Sequence, residues 1–361
     1  MKVMAGYLPE LDGLRAFAVA VVAWHHWSSP KYHLDLPWHA GVQLFFVLSG
    51  FLITGLLLDG RTQTNEQEPG ARLRLWRNFY ARRILRLFPA YYLILAWVTA
   101  IGIVDFVEEF PWHALYATNA LIISRGYWIA ASHFWSLAVE EQFYLVWPIF
   151  ILFVPWRVMP TALVLVVLTA PAFRVAAAFW FPSPMIEVAA PAQLDALGLG
   201  SLLAWLHRHP NAKWECVARH GRLAGLMAAA LSLGSAFTGH EQFQIFLLNV
   251  AFMFLVHAGA RGVAGPAGSI LRNPSIRYVG RISYGVYLLH NFADIPASAI
   301  LRLLPWLANL PGSVYVLKAG CTVALAALSW HVMESRINDL KRYFPYASAS
   351  PSLVARELVP R

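Results

Sequence analysis

The chain has 361 residues, of which 58% are hydrophobic and 13% are charged. Soluble globular proteins carry about 25% charged residues, and a soluble chain of this composition would expose too much apolar surface to stay dispersed. Disordered chains are poor in apolar residues, so disorder is excluded as well. The net charge of +9 does not indicate nucleic acid, because Lys and Arg collect in the cytoplasmic loops of membrane proteins. The composition indicates an integral protein of the lipid bilayer.

Apolar stretches recur along the whole chain. A bilayer-spanning helix needs about 20 mainly apolar residues. The predicted fold class is therefore all-α, a polytopic membrane bundle of about ten transmembrane helices. The ten stretches are 14–30, 40–58, 87–104, 134–154, 158–181, 190–206, 223–238, 243–260, 280–303 and 314–335.

The basic residues predict the orientation of this bundle. With a cytoplasmic N-terminus, 22 of the 28 Lys and Arg residues fall in cytoplasmic segments, three in outer loops and three within spans. This bias follows the positive-inside rule and predicts that both termini are cytoplasmic. We expect a multi-pass protein of the bacterial inner (plasma) membrane, with a membrane domain over 1–340 and a cytoplasmic tail over 341–361.

The first span carries Arg15, His25 and His26. An ionisable side chain in a span is costly and is a functional hypothesis by default. Arg15 and His26 are eleven residues apart, which places them within about 20° of one helix face and about 16 Å apart along its axis. His25 points about 100° away, so at most one of the two histidines faces the interior. The alternative for either is an interfacial histidine near the helix end.

The fourth span contains two adjacent carboxylates, Glu140 and Glu141. Ser136, Glu140 and Tyr144 repeat every four residues and therefore share one helix face. A polar helix end facing water is the alternative. Because both carboxylates lie well inside the span, the pattern favours a functional site.

Two further clusters complete the candidate set. Arg83 and Arg86 lie one turn apart where the third span enters from the cytoplasm. They either anchor the topology or bind cytosolic phosphates, which suit the forked donors of Arg. In the ninth span, Tyr284, Tyr287 and His290 recur every three residues as a polar ridge.

The sequence lacks the motifs of soluble enzymes that would point to another function. The sequence has no GxSxG, Walker A or HExxH motif. Its two cysteines, Cys216 and Cys321, are far apart and form no CxxC motif. We therefore expect no metal site, no structural disulfide and no permanently bound cofactor.

Five segments resemble the acyltransferase 3 family of integral membrane O-acyltransferases, in the family's order. One departure is that Gln43 and Leu44, rather than an acid, precede the Phe-Phe of the second motif. The segments are LDGLRA at 11–16 with His26 as an Arg-x10-His pattern, FFVLSGFLIT at 45–54, Arg83-x-x-Arg86 with Pro89, FWSLAVEEQFY at 134–144 and ISYGVYLLH at 282–290.

The resemblance implies transfer of an acyl group, usually acetyl, from cytosolic acyl-CoA to a hydroxyl of a carbohydrate. Acceptors in the family include exported polysaccharide, O-antigen and peptidoglycan sugars, oligosaccharides and macrolides. His suits deprotonation of a hydroxyl near neutral pH. The expected roles are catalysis for His26, Arg15, Glu140 and Glu141, acyl-CoA binding for Arg83 and Arg86, and acceptor binding for Ser136, Tyr144, Tyr284, Tyr287 and His290.

A transporter or flippase for a glycolipid is the main alternative. Ten spans with internal charges, and no soluble domain, suit such a protein equally well. Incorporation of acetyl groups from acetyl-CoA would separate the two. A sensor or purely structural membrane protein is disfavoured by the cost of its ordered in-span Arg, His and Glu residues.

Overall fold

The computed structural model describes residues 7–28, 40–64, 70–181, 183–235 and 241–346, and within these ranges it contains helices and no strands. The α-helices run over Pro9–Trp27 (α1), Ala40–Gln63 (α2), Ala71–Ala100 (α3), Phe110–Ala114 (α4), Thr118–Arg125 (α5), Phe134–Phe153 (α6), Met159–Trp180 (α7), Leu194–Arg208 (α8), Ala212–Arg219 (α9), Gly221–Ser235 (α10), Glu241–Arg261 (α11), Gly265–Leu271 (α12), Pro274–Arg281 (α13), Ser283–Leu289 (α14), Asp294–Leu303 (α15), Ser313–Ser329 (α16) and Ser335–Asp339 (α17).

The prediction of an all-α membrane bundle is confirmed in its coarse form. Within the described residues, six helices are long and apolar enough to cross a membrane. Each coincides with one of the ten predicted spans, whose full number stays a prediction. The six are Ala40–Gln63, Ala71–Ala100, Phe134–Phe153, Met159–Trp180, Gln242–Arg261 and Ser313–Tyr343.

The other four predicted spans coincide with shorter or interrupted helices. α1 has 19 residues and begins with Glu10 and Asp12 in its first turn, where carboxylates favour the helix dipole. The stretch 280–303 is divided between α13, α14, a short 3₁₀ turn and α15. Pro296 lies in the first turn of α15, a position that tolerates proline because its N–H has no intrahelical partner. The last residues of 14–30 and 223–238 lie outside the described residues.

α2 is the central helix of the bundle. In its most apolar window 78% of the residues are buried, against 28% for α7 and 11% for the last spanning helix. α2 packs closely against α8 because glycines line the contact. A Cβ on Gly50 would overlap the carbonyl oxygen of Leu197, and one on Gly200 would overlap that of Val47. Small residues allow this approach of backbones in membrane helices.

Two of the three cations predicted within spans form ion pairs. Arg174 on α7 binds Asp195 on α8 at 2.6 Å, with both side chains buried, and it also donates to the carbonyl oxygen of Ala192. Lys318 on α16 lies 2.7 Å from Asp294 on α15. Pairing lowers the cost of a charge in a low-dielectric interior. The third cation, Arg15, has a different environment, described below.

The start of the predicted tail contacts α3. Asn78 donates to the carbonyl oxygen of Pro345 at 2.7 Å, and Arg82 donates to that of Lys341 at 3.0 Å. The Arg82 guanidinium also lies 4.6 Å from the centre of the Tyr346 ring. Residues 347–361 of the predicted tail lie outside the described residues.

Replacing Gly50 with Ala should destabilise the bundle, because the new methyl group would overlap backbone atoms of α8. Overpacking of this kind costs about 1–3 kcal/mol. The measurement is the midpoint of thermal unfolding in detergent. Gly320→Ala is the matched control, since no atom lies within 4 Å of its Cβ position and Ala favours a helix. A similar fall in both variants would contradict the close α2–α8 contact.

Candidate active site

A cavity lies where α1, α2, α3, α6 and α14 converge. Apolar side chains form much of its wall, among them Val42, Phe45, Phe46 and Leu137. Most of the residues predicted for the site also line it. These are Arg15, Arg83, Arg86, Ser136, Glu140, Tyr284 and Tyr287.

Three arginines from two helices give this cavity its charge. Arg83 lies 3.7 Å from the centre of the Tyr144 ring. Arg15 and Arg83 are the charges that act most strongly on Arg86, and both repel it. Within the described residues, none of the three guanidinium groups has a carboxylate within ion-pair distance or a hydrogen-bond acceptor. Their donors are therefore available to an anionic ligand.

Glu140 is the carboxylate of the cavity wall, and two hydroxyl groups hold it. Ser49 on α2 donates to its Oε1 at 2.8 Å, and Tyr144 donates to its Oε2 at 3.0 Å. Tyr144 is fully buried and lies behind the cavity wall, between Glu140 and Arg83. Hydrogen bonds from two helices fix the position of this carboxylate.

Glu141, the next residue of the helix, does not line the cavity. Within the described residues it has no hydrogen-bond donor, and the charges that act on it are those of Arg83 and Glu140. The structure therefore separates the two adjacent carboxylates of the predicted site. Glu140 is held at the cavity, and Glu141 is not.

Tyr287 forms the boundary at one end of the cavity. Its hydroxyl lies 2.5 Å from Ser136 Oγ and 3.0 Å from the carbonyl oxygen of His133. Each hydroxyl has one proton. Either Ser136 donates to Tyr287 and Tyr287 donates to the carbonyl oxygen of His133, or Tyr287 donates to Ser136, whose Oγ lies 3.3 Å from the same carbonyl oxygen. Tyr284, one turn away, donates to the carbonyl oxygen of Leu87 at 3.0 Å.

A cluster of three histidines lies beyond this boundary. The ring centres of His26 and His290 are 4.8 Å apart, and those of His133 and His290 are 5.0 Å apart. His290 and His133 are buried, whereas His26 remains exposed. His26 Nδ1 lies 2.9 Å from the carbonyl oxygen of Val22. Because a carbonyl only accepts, Nδ1 carries the proton and Nε2 carries the lone pair.

The predicted residues thus fall into two neighbouring groups. The arginines, Glu140 and the tyrosines surround the cavity, while His26 and His290 belong to the histidine cluster. Arg15 and His26 occupy these two groups at a separation of about 16 Å along α1. The ring of Tyr287, whose centre is 5.2 Å from that of His290, joins them.

Sequence reasoning missed three residues of this arrangement, which are His133, Asn291 and Ser49. His133 accepts from the side chain of Asn291 at 3.0 Å and donates to the carbonyl oxygen of Leu288 at 3.2 Å. Ser49 holds Glu140. His133 lies one residue before the predicted span 134–154, so in the sequence it has only the appearance of an interfacial residue. Ser49 lies in an apolar run and had no detectable signal.

Gln43 has a structural position. It is buried and donates to the side chain of Gln193 at 2.6 Å, and Gln193 donates to the carbonyl oxygen of Glu187 at 2.6 Å. These bonds tie α2 to the turns before α8. The residue that replaces the acid of the second motif thus crosslinks the bundle.

A family model described as an acyltransferase domain, Acyl_transf_3, matches residues 8–331. The chain belongs to the acyltransferase 3 family. The match extends over α1 to the end of α16 and includes every residue that lines the cavity. No solved structure matches the chain.

Similar proteins include three bacterial enzymes. Peptidoglycan O-acetyltransferase OatA of Listeria monocytogenes is 29% identical over 94% of this chain and 57% of its own length. Putative peptidoglycan O-acetyltransferase YrhL of Bacillus subtilis is 29% identical over 92% of this chain and 55% of its own. O-acetyltransferase OatA of Staphylococcus aureus is 25% identical over 92% of this chain and 57% of its own length. The chain spans a little over half the length of these curated relatives.

Glu140→Gln should lower acyl transfer much more than Glu141→Gln. Glutamine keeps the shape of Glu140 but removes the charge that Ser49 and Tyr144 hold. Hydrogen bonds to charged groups contribute about 1.5–3 kcal/mol, so we expect a loss of roughly ten- to hundredfold. The measurement is initial rate at matched membrane levels. A larger loss for Glu141→Gln would contradict the division between the two carboxylates.

Proposed function

We propose that this protein is a membrane O-acyltransferase that moves an acetyl group from cytosolic acyl-CoA to a hydroxyl of a carbohydrate. The cavity carries this proposal, because its three arginines have no carboxylate within ion-pair distance among the described residues and such a site favours a polyanionic ligand. The names of the relatives, which are O-acetyltransferases, support acetyl as the acyl group and a peptidoglycan sugar or another cell-surface glycan as the acceptor.

The proposed topology places the arginines toward the cytoplasm. We infer ten spans with both termini cytoplasmic in the bacterial inner membrane, on the 22-of-28 bias of Lys and Arg. In this orientation α3 runs outward and α6 runs inward. Arg83, Arg86 and Glu140 then lie nearer the cytoplasm than Ser136 and Tyr287, and the histidine cluster lies toward the outer face.

The donor would bind through its phosphates at the arginine end of the cavity. A guanidinium presents forked donors that match phosphate oxygens. Arg83 and Arg86 are one turn apart on α3, and Arg15 on α1 adds a third cation to the same wall. The thioester and its acyl group would then extend along the apolar wall toward Tyr287.

The acceptor hydroxyl would approach from the histidine side, with the Tyr287 ring turned aside during transfer so that the hydroxyl reaches the thioester. His26 takes the hydroxyl proton on Nε2, and the oxygen attacks the thioester carbonyl carbon. The carbon–sulfur bond then breaks, and the CoA thiolate leaves and gains a proton. His290 and His133 support the His26 ring. Glu140 and Arg15 supply a negative and a positive charge at the cavity.

Transfer of labelled acetyl from acetyl-CoA to glycan by the purified protein, reconstituted in lipid vesicles, tests this function. We expect incorporation that depends on acetyl-CoA and on Arg83. Movement of a glycolipid across the vesicle without acetyl incorporation would instead favour a transporter or flippase.

Arg83→Lys should weaken acetyl-CoA binding by tenfold or more, even though the charge is kept. Lysine lacks the forked donors and the planar contact with the Tyr144 ring. The measurement is the Kd for acetyl-CoA of the purified protein. Arg125→Lys is the matched control, because Arg125 is exposed and pairs with Glu108 away from the cavity. Unchanged acetyl-CoA binding by the Arg83→Lys variant would mean that Arg83 and Arg86 only anchor the membrane topology.

His26→Ala should abolish detectable transfer while acetyl-CoA binding persists. Loss of a positioned base typically costs about 10² to 10⁴-fold in rate, and His26 lies apart from the arginine cavity. His25→Ala should cost much less, since that ring does not contact His290. The measurement is acetyl transfer by both variants at matched membrane levels. An inactive His25 variant beside an active His26 variant would overturn the assignment.

A further inference from the structure

The cavity has two ends of different chemistry. Arg83, Arg86 and Glu140 provide the charged end. One helical turn away, Val42, Phe45, Phe46 and Leu137 provide an apolar wall. Such a site separates a charged part of a ligand from an apolar part, because each part finds matching side chains.

Tyr287 closes the apolar end. Its side chain is 5% exposed, and its ring lies 6.1 Å from that of Phe45, centre to centre, in an edge arrangement. On the far side the ring meets His290 at 5.2 Å. A side chain that is buried between two rings and also lines a cavity acts as the wall between two compartments.

Hydrogen bonds hold this wall in place from both sides. The Tyr287 hydroxyl is fixed by Ser136 and the carbonyl oxygen of His133. His133 is tied to α14 through the carbonyl oxygen of Leu288 and to Asn291, which follows it. The first turn of α6 and the end of α14 are therefore bound together around the Tyr287 side chain.

The apolar compartment is short. Ser136, at the Tyr287 end, and Glu140, at the charged end, are four residues apart on α6, which corresponds to about 6 Å. That length accommodates a thioester and a two-carbon acyl group. Each further methylene has to displace Tyr287 or enter the arginine end, where an alkyl chain meets charged groups.

We propose that Tyr287 limits the acyl group of the donor to acetyl by closing the apolar compartment about one helical turn beyond Glu140. This assignment rests on the proposed donor function. Tyr287 is then a specificity-determining residue, and chain length is selected by its ring. The hydroxyl group has the separate role of holding that ring in place.

Affinities of the purified protein for acetyl-CoA, butyryl-CoA and hexanoyl-CoA test this limit. The wild-type protein should bind acetyl-CoA at least tenfold more tightly than hexanoyl-CoA, since one methylene in a closed pocket changes discrimination by about 10- to 200-fold. Tyr287→Ala should reduce this preference by tenfold or more. Tyr287→Phe keeps the ring and should keep most of the preference.

A second variant and a control make the test decisive. Tyr287→Leu leaves a smaller apolar side chain and should give an intermediate preference, which keeps the test available if the Ala variant fails to insert. Tyr92→Ala removes a tyrosine that lies outside the cavity and donates to the carbonyl oxygen of Ala114, so its preference should match the wild type.

The outcomes separate this limit from the donor function. If wild-type protein binds acetyl-CoA and hexanoyl-CoA equally, or if the Ala and Leu variants keep the full preference, Tyr287 does not set chain length although acyl-CoA remains the donor. If the wild-type protein binds none of the three, the donor assignment itself is wrong and the limit falls with it.

Discussion

A guanidinium group in the interior of a membrane protein needs a counter-charge, and the arrangement of the bundle follows from how each one obtains it. Arg174 finds Asp195 on the neighbouring helix, and Arg208 binds Asp59 at 2.5 Å. These pairs fasten α7 to α8 and α8 to α2. Arg15, Arg83 and Arg86 instead share one cavity, whose wall contains one carboxylate, Glu140, among the described residues.

Glu140 connects this excess of positive charge to the core of the bundle. Ser49 reaches it from the central helix α2, and Tyr144 supports it from below while its ring faces Arg83. The close α2–α8 contact at Gly50 and Gly200 fixes the helix that carries Ser49. A buried structural contact therefore determines where the carboxylate lies in relation to the three arginines.

Helical periodicity in the sequence identified cavity-lining residues where it places a costly side chain on an inward face. Arg15, Glu140 and Tyr287 line the cavity because each belongs to such a face. Periodicity could not identify Ser49, since a hydroxyl in an apolar run resembles ordinary helix packing. His133 precedes its span and resembles an interfacial residue. The division of 280–303 was also missed, because hydropathy averages over a stretch and does not detect a local turn.

Glu141 shows a related limit of sequence reasoning. Glu140 and Glu141 are the same residue type at nearly the same depth in the span. Neither hydropathy nor the free-energy cost of burying a carboxylate therefore distinguishes them. Their surroundings differ because neighbouring residues of a helix point about 100° apart. Only the position of α2 and its Ser49 hydroxyl decides which of the two carboxylates is held at the cavity.

Under the proposed topology, the wall at Tyr287 would also determine how the bundle experiences the membrane potential. In that orientation the cavity would admit cytoplasmic water as far as Tyr287, and the exposed His26 would face the outer side. The voltage then falls mainly across this thin layer of hydrogen-bonded side chains. A unit charge that crossed it would gain or lose about 2.3 kcal/mol per 100 mV. In the proposed reaction the acetyl group carries no charge, so its transfer past Tyr287 would be independent of voltage, while the same layer would oppose leakage of ions and protons.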